Sequence, residues 1–166
     1  YVADYTAVRK VTSAGVVTTL ANLTINFGVT VDAADKLYVS EGDSANRIST
    51  VSSSGVVTLL AGSPTGAYGT QDGAGSAARF WLPYRINYDK KSNLIYVADL
   101  GTNCIRTLDL SGNVGTLTGQ CGTSNYGLVD GGPGVAKFFY PDSIAPTPSG
   151  ALYVNDGGNS RLRLIQ

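Results

Sequence analysis

The 166-residue chain is 43% hydrophobic and only 14% charged, with 12 basic side chains balanced by 12 acidic ones. That is enough apolar material for one ordinary domain core. The balance excludes both a charge-driven disordered chain and a dominant basic field for nucleic acid. The Gly, Ser, Thr, Val and Tyr content favours short strands joined by tight turns.

Tyr1-Val2-Ala3-Asp4 opens the chain already inside a strand, so the sequence reads as a processed or partial product. Val8-Arg9 lies on a second strand, and Val16 to Leu20 form a third. Asn22-Leu23-Thr24 is an N-glycosylation sequon in a predicted surface loop, which makes Asn22 a glycan site. Gly28 to Val31, Leu37-Tyr38-Val39-Ser40-Glu41, Arg47-Ile48 and Val56 to Leu60 repeat the strand order with one strand added in front. A glycine-rich insert runs from Gly69 to Pro83, and Tyr84 to Tyr88 follow it. Leu94 to Asp99, Asn103-Cys104-Ile105-Arg106 and Val114 to Leu117 complete that unit. A second insert, Gly127 to Pro141, precedes Asp142 to Ala145, Leu152 to Asp156 and Leu162-Arg163. Both inserts contain Asp-Gly and end in a basic residue, Phe, two further residues and Pro. Turn signals such as Ser53-Ser54-Gly55 and Ser111-Gly112 separate the strands. No segment has sustained helical periodicity, and no apolar run approaches the roughly 18 residues of a membrane-spanning helix.

Tyr-Val-type pairs at Tyr1, Tyr38, Tyr96 and Tyr153 mark the repeat. Four short antiparallel strands per unit describe a propeller blade. The order Phe-x-x-Pro, inner strand, Tyr-Val-x-Asp, Asn-x-Ile-Arg, Gly-x-Val-x-Thr-Leu-x-Gly resembles the NHL repeat, best over Phe80 to Gly119 and next over Phe138 to Ile165. The resemblance implies an all-β propeller, usually six-bladed in that family, whose members include interaction modules, RNA binders and a few enzymes. The expected blades are residues 1–21, 22–61, 82–119 and 142–166. The first lacks an inner strand and the last lacks an outer one. Two complete and two partial blades read as part of a larger propeller, or one completed by neighbouring molecules, because open sheet edges invite pairing. A compact four-bladed ring is the remaining option.

The absence of His removes Ser-His-Asp and Cys-His catalysis in their usual forms and His-based zinc sites. It also counts against the amidating-lyase activity of some relatives. Asp4, Glu41, Asp99 and Asp156 end the Tyr-Val strands and would line one end of successive blades. They are read as turn caps, with a carboxylate calcium site as the alternative. The inserts Asp72-Gly73-Ala74-Gly75 and Asp130-Gly131-Gly132-Pro133-Gly134 lack the Gly-Lys-Ser/Thr of a phosphate cradle and read as inter-blade loops needing positive φ. Arg79, Arg85, Arg106, Lys90 and Lys91 with Trp81 and Tyr84 are a candidate RNA patch, read instead as solvated charges. Cys104 and Cys121 pair as a disulfide: a two-residue loop at Gly112-Asn113 sets them opposite, and a longer loop puts Cys121 just past the strand.

The resulting expectation is a non-catalytic extracellular or cell-surface scaffold. Its partners are protein, through self-association or the remainder of a longer chain, with glycan at Asn22. No nucleic acid, membrane span, metal or cofactor is expected. The alternatives are a six-bladed lactonase or hydrolase holding calcium through carboxylates, and an RNA-binding propeller.

Overall fold

The computed structural model describes residues 1–23 and 26–166 as an arc of four antiparallel sheets. The first sheet is β1 (Val2–Asp4), β2 (Ala7–Val11) and β3 (Val17–Asn22). The second is β4 (Asn26–Val31), β5 (Leu37–Glu41), β6 (Arg47–Val51) and β7 (Val57–Gly62). The third has five strands, because β8 (Gly73–Ala74) joins β9 (Pro83–Asp89), β10 (Leu94–Asp99), β11 (Cys104–Asp109) and β12 (Asn113–Thr118) in the order β8-β12-β11-β10-β9. The fourth is β13 (Pro141–Pro146), β14 (Leu152–Asp156) and β15 (Arg161–Ile165). Helical structure among the described residues is confined to three-residue 3₁₀ turns, and no helix is long and apolar enough to cross a membrane.

The strands form where β-branched and aromatic residues sit between Gly, Ser, Asp and Asn turns. Their faces meet the neighbouring sheets in three apolar layers. Val8, Leu23, Val39 and Val51 fill the first gap. Tyr38, Ile48, Phe80, Ile95, Leu108 and Val114 fill the second. Tyr96, Ile105, Phe138, Ile144 and Val154 fill the third. Central strands are covered on both faces, so β5 is buried along its whole length. The inner strands β4, β9 and β13 are successive neighbours. They are stitched by the Tyr88 amide donating to Thr30 Oγ1 (3.0 Å) and Asn87 Nδ2 to the Ile144 carbonyl (3.4 Å), and the Ser40 hydroxyl of β5 donates across to the Tyr84 carbonyl of β9 (2.5 Å).

Two details depart from the sequence reading. The first insert is more than a loop. At Gly73 and Ala74 it adds a strand to the outer edge of the third sheet, beyond the expected 82–119 span, and the Gly73 and Gly75 φ values of 152° and 52° suit glycine. The second is a register difference. Arg9, Arg106 and Arg163 are equivalent, but Arg47 is not. Glu41 pairs with Arg47 and Asp99 with Cys104, so Ser49 holds the arginine position in the second sheet.

The turns opposite the Asp-bearing strand ends are built by short polar side chains, Asp32, Asp89 and Asp109 in some and Thr12, Ser52 and Thr147 in others. Asp109 accepts from the Ser111 and Asn113 amides (both 2.9 Å) and from the side chains of both residues. Partial burial acts to raise its pKa, but the donors from Asn113 and Ser111 outweigh it and hold the carboxyl at about 2. A depressed folded-state pKa gives stability that is present above the unfolded value of 3.8 and is lost as pH falls toward 2. Urea unfolding of the wild type should therefore show a midpoint that drops between pH 4 and pH 2. In Asp109→Asn that component of the drop should be absent.

Candidate interaction face

Each blade-like sheet carries a carboxylate at the end of its Tyr-Val strand and a cation on the strand beside it. In the third sheet Asp99 and Arg106 are both fully buried and 3.1 Å apart. Asp99 also accepts from the Trp81 amide (2.9 Å) and the Thr102 hydroxyl (2.8 Å). Complete burial pushes its carboxyl up to about 7 against the opposing pull of Arg106, the Trp81 amide and Thr102. Arg106 lies over the Phe80 ring at 5.5 Å and donates to the Arg79 and Gln71 carbonyls and to Asp72. The fourth sheet repeats this set. Arg163 donates to Asp156 (2.9 Å), to the Lys137 and Val129 carbonyls and to Asp130, over Phe138 at 4.8 Å. In the second sheet Glu41, one methylene longer, takes a bidentate pair from Arg47 (2.9 Å each) and a hydrogen bond from Ser49. In the first, Asp4 and Arg9 form an exposed pair at 3.0 Å, and Arg9 also donates to Thr19.

These contacts correct the reading of the four carboxylates as caps of their own turns. Asp4, Glu41, Asp99 and Asp156 each engage an arginine from the next strand. The proposed RNA patch does not assemble either. Arg106 is inside the protein, and Arg79 donates to the Ser76 and Ala78 carbonyls. Lys90 and Lys91 lie in the β9–β10 turn, at the far end of the sheet from Trp81, and Lys91 donates to the Ser149 carbonyl. Among the described residues no group of three or more His, Cys, Asp or Glu side chains is placed to hold a metal ion.

Built on the clamps, one end of the arc is aromatic. Tyr5 meets Phe27 edge-on, and Phe27 packs on Tyr84 at 4.7 Å. Tyr68 stacks on Trp81 at 5.0 Å. At the equivalent place in the next repeat, Tyr126 lies 4.8 Å from Phe139, which stacks on Tyr140 at 4.4 Å. Tyr5, Tyr68, Tyr126 and Tyr140 are exposed. The inner rings rest on backbone that only glycine leaves open. A Cβ on Gly101 would lie 2.7 Å from Trp81 Cγ, and Cβ atoms on Gly42 and Gly158 would strike Phe27 and Phe139. Adjacent sheets are pinned here by Asn46 Oδ1, which accepts from the Leu82 amide, and Asn103 Oδ1, which accepts from the Tyr140 amide, both at 2.9 Å. The sequence reading missed these two asparagines, although each stands one residue before the strand in the repeat. A cleft of about 240 Å³ opens between Trp81 and the Tyr126, Phe139 and Tyr140 rings, with Gly101 and Thr123 in its wall.

Cys104 and Cys121 form a disulfide with a Cα–Cα distance of 5.3 Å. The register pairs Ile105 with Thr118, so the cysteines are not directly opposed, and Cys121 lies just past β12. The bridge holds the loop that brings Thr123 and Tyr126 to the cleft. That loop is also tied by the Gly122 amide to the Thr102 carbonyl (2.9 Å). Asn22 ends β3 and is exposed, while Thr24 of its sequon lies outside the described residues.

Over 136 residues, 78% of its length, the chain is 31% identical to NHL repeat-containing protein 2 of Bos taurus and of Homo sapiens. The chain belongs to the NHL-repeat β-propellers. It spans 18% of the length of those two relatives. No family model matches it. Among solved structures, an auxiliary nutrient binding protein from Bacteroides thetaiotaomicron superposes over 98% of this chain and 43% of its own, with a TM-score of 0.80 and 20% identity. Virginiamycin B lyase from Staphylococcus aureus superposes over 96% of this chain and 48% of its own, with a TM-score of 0.63 and 13% identity. A chain of the nidogen/laminin complex covers 89% of this chain and 46% of its own, with a TM-score of 0.58 and 17% identity. These identities carry the propeller fold alone. The NHL pattern in this chain thus has a physical content: its conspicuous Asp and Arg are the two halves of the blade clamp.

Two outcomes follow. Arg106→Ala leaves the Asp99 carboxyl buried without its cationic partner, forcing it to take up a proton, and should cost about 3–5 kcal/mol of unfolding free energy, whereas Arg9→Ala, at an exposed pair, should cost about 1 kcal/mol or less. Chemical denaturation of both variants measures the contrast. Reduction of Cys104–Cys121 should lower stability by about 3 kcal/mol, the loop-closure value for a bridge of this span. It should also raise hydrogen exchange between residues 119 and 126.

Proposed function

We propose that this chain is a non-catalytic protein-interaction module of an extracellular or cell-surface scaffold, which docks its partners through the aromatic end of the NHL blades. The observation that carries the reading is the difference between the two ends. One end gathers stacked and exposed rings around a neutral cleft. The other presents turns of Ser, Gly, Asp and Lys. Exposed Tyr and Trp on a rigid frame supply contact area at low entropic cost, which is the composition of interaction hot spots. The disulfide supports an oxidising compartment, and the sequon at Asn22 is consistent with secretion. A solved relative in fold comes from the nidogen/laminin complex, an assembly of proteins.

The enzymatic alternative draws on the likeness to a lyase. Against it, the chain has no His, and the four carboxylates that would hold calcium are engaged by arginines. A photo-crosslinking residue placed at Tyr68 or Tyr126 should capture a protein partner, while one placed at Ser53 should not. Millimolar calcium should leave the melting temperature unchanged relative to chelator. Equal capture at both ends, or a rise of several degrees with calcium, would overturn the proposal.

A further inference from the structure

An insert leaves the second sheet at Gly62 and the third at Gly119, where φ is 103° and 106°. Each crosses to the next sheet and covers its clamp arginine. The first brings the Gln71 and Arg79 carbonyls and Asp72 to Arg106, and the second brings the Val129 and Lys137 carbonyls and Asp130 to Arg163. No such insert follows the first sheet, where Leu23, Thr24 and Ile25 alone separate β3 from β4. Asp4↔Ala7, Glu41↔Arg47 and Asp99↔Cys104 are equivalent pairs. Gly62 pairs with Arg47, Gly119 lies against Cys104, and Asn22 pairs with Ala7. Asn22 therefore stands where the two glycines stand, at the point of departure of an insert. The clamp that such an insert would cover is that of the second sheet. There the Arg47 guanidinium bonds Glu41 alone among the described residues, and its side chain is 30% exposed against 0% for Arg106. A cleft of about 310 Å³ opens beside it, lined by Asn22, Leu23, Glu41, Arg47 and Val57.

We propose that the first saccharides of an N-linked glycan on Asn22 fill this cleft and cover the Glu41–Arg47 clamp in place of an insert. Asn22-Leu23-Thr24 is a glycosylation acceptor, its asparagine is exposed, and that asparagine is itself part of the cleft wall. The co-substrate is an oligosaccharide carried on a polyprenyl diphosphate. The bond from Asn22 Nδ2 to the sugar C1 forms, the sugar–phosphate bond breaks, the lipid diphosphate leaves, and Nδ2 loses one proton. A neutral saccharide suits the cleft. Arg47 and Glu41 already balance in charge, so Arg47 calls for neutral acceptors like the carbonyls that reach Arg106, and sugar hydroxyl and acetamide oxygens supply them. Leu23 and Val57 offer an apolar wall to the C–H face of a sugar ring. A peptide insert would find its holding residues replaced, because Ser49 and Leu59 are paired where Arg106 and Thr116 hold Asp72. The volume lies within the range of about 300–1,000 Å³ usual for small-ligand sites. The glycan presupposes the secretion part of the proposed function, whereas the aromatic end plays no part in the cleft.

The test uses protein secreted from a eukaryotic host. Peptide mass spectrometry should find Asn22 modified. Three forms are then compared: the fully glycosylated chain, the chain trimmed by an endoglycosidase to the single saccharide on Asn22, and Thr24→Ala, which keeps Asn22 but abolishes its acceptor sequence. The full and trimmed forms should melt together, about 2–4 °C above Thr24→Ala, the shift that one hydrogen bond's worth of stability gives a chain of this length. Hydrogen exchange across β6 and β7 should be slower in both than in Thr24→Ala. Thr24→Ser, which keeps the acceptor, should behave as the wild type and so separates the sugar from the side chain. Arg47→Lys keeps the charge opposite Glu41 but loses the planar fork, and should lose most of the gain from the trimmed glycan. Unmodified Asn22 in the secreted protein overturns the inference, while partner capture at Tyr68 still decides the interaction reading separately. Equal melting and exchange in the glycosylated and Thr24→Ala proteins also overturns it, by leaving the sugar in solvent.

Discussion

The arc depends on one arrangement, a carboxylate paired with an arginine in each blade, which in the third and fourth is buried and backed by a phenylalanine ring. Isolated, either charge would be expensive to bury. Together with the Trp81 amide, Thr102 and two backbone carbonyls, Asp99 and Arg106 partner each other and tie three segments that are distant in sequence, with only the Arg106 Nε left unpaired in the interior. Phe80 under Arg106 links the clamp to the apolar layer, so polar specificity and hydrophobic burial are joined at one point. Asp156, Arg163 and Phe138 repeat the device, with Asp130 of the second insert standing as Asp72 does in the first.

The clamp tolerates variation when its geometry is conserved by other means. In the second sheet the arginine stands two residues earlier, on Arg47, and the carboxylate is the longer Glu41, with Ser49 filling the vacated place. The first sheet keeps Asp4 and Arg9, but its pair is exposed to solvent and correspondingly weaker. Inserts add a second carboxylate to the arginine in the third and fourth sheets, Asp72 on Arg106 and Asp130 on Arg163.

The clamps also divide the molecule by polarity. Because they sit at the carboxyl ends of the Tyr-Val strands, the segments they tether emerge at that end, and those segments carry Tyr68, Trp81, Tyr126, Phe139 and Tyr140. Glycines beneath the rings and asparagines between sheets fix the rings as a rigid surface. The disulfide extends the same principle to the loop past β12. Turns at the opposite end, organised by carboxylates such as Asp109, close each hairpin without presenting aromatic area.

The sequence by itself determined the blade architecture, because strand order, turn residues and repeat spacing are local signals that every unit restates. It also determined that Cys104 and Cys121 lie close together, since a hairpin brings its two arms near each other whatever the loop length. Tertiary structure alone decided what the recurring Asp and Arg do. Their partners come from the neighbouring strand and from inserts some thirty residues away in Asp72–Arg106 and Asp130–Arg163, a separation that no local pattern encodes. It decided the misregistered Arg47, because its two-residue offset from the equivalent arginines is invisible until the strands pair.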